Sequence, residues 1–237
     1  MNRGVYTAAM GMSASQRWMD VAANNLANVS TDGFKADGLE FSDVMVREMH
    51  SGGRTLGTLG SGPGTPREYT NLNPGQLRPT GNPLDVALSD SKSMIAVRDG
   101  NTTRFTRGGS FSLDGDGALV TIGGAKVLDR SGNEIRLDRK SPVLIDPTGA
   151  IHQNNRVVAE LAVVEGRFTK EGNNLWGGTG VRPGNATVTA RALESSNVNA
   201  LEGMIDMIQI GRHVDMAQRA MNTHDESTGK LLGILGR

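Results

Sequence analysis

The residues able to do chemistry are few, and their spacing argues against most of what they could do. Asp114-Gly115-Asp116-Gly117 alternates carboxylates with glycines, as the start of a calcium loop does. Such a loop needs a ligand at its fifth position and a glutamate at its twelfth. Here those positions hold Ala118 and Ala125, so the stretch reads as a turn. His224-Asp225-Glu226, with His213 and Asp215 upstream, is the densest metal or acid–base cluster. Consecutive residues on a helix point in three directions and do not converge on one ion. Gly60–Gly64 (GSGPG) has the glycine content of a phosphate loop but no Lys-Ser/Thr ending and no helix after it. No Ser/His/Asp set is legible. The residues therefore predict no catalytic centre, no cofactor and no metal, and attention moves to the elements and their surfaces.

Composition agrees with that shift. The chain has 237 residues, enough for a substantial core, yet only 4% are aromatic while 32 are glycine. Small and aliphatic side chains favour closely packed helices and many turns. Lys+Arg and Asp+Glu both number 25, which gives no electrostatic case for nucleic acid or an anionic membrane. Cysteine is absent, excluding disulfides and thiolate metal sites. No apolar run approaches the ~20 residues of a membrane span. The opening MNRGVYTAAMGMSAS lacks a continuous apolar stretch, so no cleaved signal peptide is expected.

Both ends of the chain read as helices. Val5, Met12, Met19 and Leu26 recur every seven residues, with Ala8, Ser15, Ala22 and Val29 in a companion row. That is a heptad seam with small residues at one position, suited to a close neighbour. The helix closes on NNLANVSTDGFK, Asn24 to Lys35. Asn24, Asn25 and Asn28 either cap a fraying end or hydrogen-bond across a helix–helix contact and fix its register. Thr31-Asp32-Gly33 then stops the helix. From Leu193 to Leu235 the same pattern returns. Met207, Val214, Met221 and Leu235 lie on a seven-residue grid, with Ile210, Ala217 and Leu231 alongside. Around Met204–Ile210 nearly every other residue is apolar, which is more than one face. The helix at the other end of the chain is the partner each seam implies.

The middle reads as β. Thr103 to Asp138 alternates apolar and polar residues between turn signals (DGDG, GG, SGN), and Pro142 to Val164 continues the pattern. Ser51 to Gly64 reads as a loop. The expected fold class is α+β. Residues 1–36 and 190–237 form a discontinuous, coiled-coil-like helical domain, 37–74 an extended or loop linker, and 75–189 a mostly antiparallel β-domain.

Five blocks carry a family resemblance. NNLANVSTDGFK resembles the N-terminal signature of the bacterial flagellar rod and hook proteins. GQLRPTGNPLDVAL (Gly75–Leu88), FTRGGSFSLDGDGALVTIGG (Phe105–Gly124), GNNLW (Gly172–Trp176) and LESSNVNALEGMIDMI (Leu193–Ile208) are similar, in order, to further blocks of that family. The resemblance implies an axial structural protein of the basal body, not an enzyme, that transmits torque for motility. It implies passage through the flagellar export apparatus, and partners that are other axial proteins and copies of the chain. It also implies terminal helices packed against neighbouring subunits, with Val5, Met12, Met19, Asn24, Asn25, Leu26, Asn28, Met207, Ile210, Val214 and Met221 at the assembly interface. Under this reading the asparagines are inter-subunit contacts.

Val214–Ser227 resembles the proximal-rod branch, with the distal-rod or hook type as the alternative. Two departures stand out. After Leu88 the family usually has Gly-x-Gly and two aromatics; Ser89–Val97 has neither, so that edge of the β-domain is expected to be rebuilt. Arg212-His213-Val214-Asp215 stands where many relatives carry Arg-x-aromatic-Glu. Two other classes of function compete. One is a secreted enzyme acting on cell-wall glycan through Glu160, Glu165 or Glu171, although no carboxylate pair shows a reason for a raised pKa. The other is an adaptor that binds a chaperone or the export apparatus.

Overall fold

The computed structural model describes residues 3–40, 43–49, 55–63 and 67–235, with side chains described for 9–40, 67–223, 226 and 229. The chain divides into two compact units: Met1–Ala27, Asp37–Asn71 and Asn199–Arg237 in one, Asn28–Ala36 and Leu72–Val198 in the other.

The first unit is built on two helices, α1 (Arg3–Ala27) and α2 (Ala200–Leu235), which pack on each other. Asn199 caps α2: its side-chain oxygen accepts from the amides of Leu201 and Glu202 at 3.1 and 3.4 Å. The helix thus starts seven residues later than the apolar grid suggested. The segment expected as a linker carries strands: β1 (Asp37–Glu40), β2 (Asp43–Met49), β3 (Thr55–Pro63) and β4 (Arg67–Thr70). β1 pairs with β4 and β2 with β3, both antiparallel. Part of the loop read over Ser51–Gly64 is therefore β3, whose Thr and Leu residues alternate with glycine; 51–54 and 64 lie outside the described residues.

The second unit is antiparallel β. Its strands are β5 (Leu77–Pro79), β6 (Val86–Leu88), β7 (Ser93–Asp99), β8 (Thr102–Thr106), β9 (Phe111–Leu113), β10 (Leu119–Thr121) and β11 (Lys126–Val127). β12 (Val143–Ile145), β13 (Ala150–Gln153), β14 (Arg156–Glu160), β15 (Val163–Gly172), β16 (Leu175–Pro183), β17 (Val188–Ala190) and β18 (Ala192–Glu194) follow. The main sheet runs β15-β16-β8-β7-β11-β10-β9, and β15 also pairs with β7, closing four strands into a ring. Of Ser89–Val97, expected as a rebuilt edge, Ser93–Val97 lies in the central strand β7. Its side chains alternate between two cores, Ile95 and Val97 with Leu119, Val127 and Ile151, and Met94 and Ala96 with Phe105 and Trp176. A strand covered on both faces needs no polar alternation, which is why the segment is apolar throughout.

Turn chemistry sets the registers. Asp114–Ala118, Asp129–Asn133 and Asp146–Ala150 are three copies of one turn. In each, the aspartate Oδ1 accepts from the amides two and four residues on, and the glycine three on has positive φ. The DGDG stretch is thus a turn, as its missing ligands required. Asn154-Asn155 and Asn173-Asn174 have positive φ at both residues, the two-residue hairpin geometry that matches strand twist.

Candidate assembly interface

The helical unit presents two different faces of α2. Met207, Val214, Ala217 and Met221 are half-buried and Ile210 is 0% exposed. These are the two apolar rows read from the sequence, and at ~3.6 residues per turn they form one stripe. Leu201 (68% exposed), Met204, Ile205, Ile208 (60%) and Met216 lie on the opposite side and face solvent in the single chain. Periodicity places apolar residues on more than one face here, and the α2 residues expected at the interface, Met207, Ile210, Val214 and Met221, lie on the covered one. On α1, Met12, Met19 and Leu26 are half-buried and Ala22 is buried. Val5 lies in α1, but its side chain is outside the described residues.

Asn25 and Asn28 form hydrogen bonds within the chain. Asn25 Nδ2 donates to the Asp37 carbonyl at 2.7 Å, and the Asp37 amide donates to Asn25 Oδ1 at 2.9 Å. The side-chain amide thereby imitates a strand neighbour for the first residue of β1. Within the chain, both ends of the Asn25 amide are thus engaged by the Asp37 backbone. Asn28 closes the helix end, its Oδ1 accepting from the Thr31 hydroxyl at 3.1 Å and its carbonyl from the Thr31 amide. Asn24 is exposed.

Within the β unit, the five sequence blocks meet at one buried junction. Lys35 Nζ bonds Glu194 Oε1 at 2.5 Å and Arg107 Nε bonds Glu194 Oε2 at 2.6 Å, with all three side chains 1% exposed. Arg107 also donates to the carbonyls of Ser93, Leu88 and Asp90. Lys35 reaches the Asn73 carbonyl, and the Gly75 amide donates to Glu194 Oε1. The Gly33 amide meets the Glu194 carbonyl at 2.6 Å. Gly33 has φ +71°, and a β-carbon there falls 2.5 Å from the Arg107 backbone, so only glycine fits. Asn174 Nδ2 donates to the Asp32 carbonyl, and Asn197 accepts from the Ala36 amide. Lys170 stands 4.1 Å over the Phe34 ring. Burial pushes the Lys35 ammonium below its ordinary pKa, and the bond to Glu194 works against that shift. Nothing in the local sequence marked Lys35, Arg107 or Glu194 as partners. The available signal is that each lies in a stretch carrying the family resemblance, 24–35, 105–124 and 193–208.

The other candidates do not form a site. Glu160, Glu165 and Glu171 are each taken up by an ion pair, with Arg130, Arg182 and Arg104 respectively. Among the described residues no group of three His, Asp or Glu could hold a metal, and no helix is long and apolar enough to cross a membrane. His224 and Asp225 have side chains outside the described residues.

Comparison with known proteins accounts for this arrangement. Residues 5–35 match the family model described as flagella basal body rod protein, and residues 189–234 match the C-terminal model of the flagellar basal body rod FlgEFG proteins. The chain is 31% identical to the flagellar basal-body rod protein FlgF of Rhizobium meliloti, over 100% of this chain and 99% of the relative. It is 30% identical to FlgF of Caulobacter vibrioides, with the same coverages. It is 29% identical to the flagellar basal-body rod protein FlgG of Bacillus subtilis, over 99% of each. With both family models at its helical ends and full-length similarity between them, the chain belongs to the flagellar basal-body rod protein family, as a structural subunit and not an enzyme.

Proposed function

We propose that the chain self-assembles with other axial proteins, and with copies of itself, through its terminal helices, and that the resulting rod transmits torque. The observation that supports this is the exposed row of Leu201, Met204, Ile205, Ile208 and Met216 on α2. An amphipathic helix normally covers one apolar stripe, and this helix carries a second on its far side. The seam of Met12, Met19, Leu26, Met207, Ile210, Val214 and Met221 pairs α1 with α2 in coiled-coil fashion, and the second stripe receives the neighbouring subunit. Export through the flagellar apparatus without a cleaved signal fits the family. Position in the proximal rod, with the distal rod as alternative, rests on the resemblance of Val214–Ser227.

The chain has no cysteine, so single introduced thiols report contacts cleanly. In cells making Ile208→Cys, with the thiol alkylated by a maleimide-benzophenone, light-induced cross-links to axial subunits are expected in isolated basal bodies, and Ser112→Cys on the β unit serves as the comparison. Basal bodies that contain the variant but yield no cross-link from Ile208, or yield equal ones from Ser112, refute assembly through this face.

A further inference from the structure

Lys35 and Arg107 are buried cations from distant parts of the chain, and they share one buried carboxylate. Glu194 lies 159 residues after Lys35 and 87 after Arg107. Asp90 stands 3.5 Å from Arg107, but among the described residues Glu194 is the carboxylate that ion-pairs with Lys35. The segment Asn28–Ala36 has little apolar hold of its own, since Phe34 is its one buried apolar side chain. It is fastened instead by polar bonds to Asn73, Lys170, Asn174, Glu194 and Asn197. The apolar core, in contrast, is assembled from Val86 to Val188, and none of these bonds joins two of its members.

We propose that Glu194 is a completion lock: the core from Val86 to Val188 folds first, and the segment Asn28–Ala36 docks only when Glu194 arrives to neutralise Lys35 and Arg107. A buried cation without its partner is strongly disfavoured, so Lys35 stays in water until the pair can form. The lock also couples the two family signatures, because Gly33 and Ala36 bond directly to Glu194 and Asn197.

The first test is pulse-labelled hydrogen exchange during refolding of the unmodified full chain. The amides of Leu119, Leu128 and Ile135, bonded within the core, are expected to gain protection first. Those of Gly33 and Ala36 are expected later, together with Ser195, whose amide bonds the Gln76 carbonyl. Protection of Gly33 and Ala36 with the core, or ahead of Ser195, overturns the proposal. The second test is Glu194→Gln in the full chain at equilibrium. Exchange at Gly33 and Ala36 is expected to accelerate on the order of a hundredfold, with Leu119 and Ile135 unchanged. Unchanged exchange at Gly33 overturns it, and so does equal acceleration at all sites, which makes the cluster one part of a single cooperative core. Neither test depends on rod assembly, so failure of the lock leaves the assembly reading standing.

Discussion

Replacing Asn25 by leucine separates an intrachain role for this residue from an inter-subunit one. In the folded chain Asn25 makes two bonds to Asp37, at 2.7 and 2.9 Å, and both are half-buried. Leucine keeps the bulk and loses both bonds, leaving the amide and carbonyl of Asp37 to find water at the start of β1. Losing bonds of this kind, with their partners left in place, costs about 1–3 kcal/mol. Leucine is the better helix former by roughly 0.5 kcal/mol, which offsets part of the loss. The net is about 0.5–2.5 kcal/mol, or roughly a two- to seventyfold shift in local opening. The shift falls on the β1–β4 ribbon, where Asp37 pairs with Thr70 and its carboxylate accepts from the Thr70 hydroxyl at 2.6 Å. Hydrogen exchange across Asp37–Glu40 and Arg67–Thr70 in the purified monomer is the assay, with Leu119 in the β unit as internal reference. Faster exchange in the ribbon alone is the expected result. Unchanged ribbon exchange alongside failed rod assembly in cells refutes the clamp and returns Asn25 to the inter-subunit role.

Ile210→Asp is expected to unfold the helical unit, since it places a charge at a fully buried position, whereas Ile208→Asp leaves monomer helicity intact and abolishes rod assembly; circular dichroism and motility assays read the two outcomes. Gly33→Ala is expected to destabilise the β unit well beyond Gly81→Ala. Both pay the ~1–2 kcal/mol of left-handed backbone, but only at Gly33 does the added carbon meet backbone, as urea midpoints will register. The Asp146 carboxyl is held down to about 2 from its ordinary 3.8, chiefly by the Thr148 hydroxyl and then His152. A depressed acid stabilises the fold above its unfolded pKa and loses that contribution as pH falls from about 4 towards 2. Asp146→Asn is therefore expected to be less stable than the parent near neutrality and to flatten this part of the acid transition, measured by denaturation at a series of pH values.

Much of this protein is local in its sequence. The seven-residue grids of Met12 and Met19, and of Met207, Val214 and Met221, specify helices because side-chain direction repeats with the helical period. The aspartate–glycine turns specify hairpins because a short acceptor and a positive-φ residue are needed within five positions. The rod-protein resemblance is likewise carried by contiguous blocks. What those blocks do physically depends on distant partners. Lys35, Arg107 and Glu194 look like ordinary surface charges until the fold removes them from water and sets them against one another. Asn25 looks like a helix cap until β1 is brought beside it. Ser93–Val97 looks like an altered edge until two cores form on its opposite faces. On α2, periodicity shows that apolar residues occupy two faces, but it carries no information about which face a partner covers. Only packing against α1 leaves Leu201, Ile205 and Ile208 in solvent, because a helix neighbour can occupy one side of a cylinder at a time.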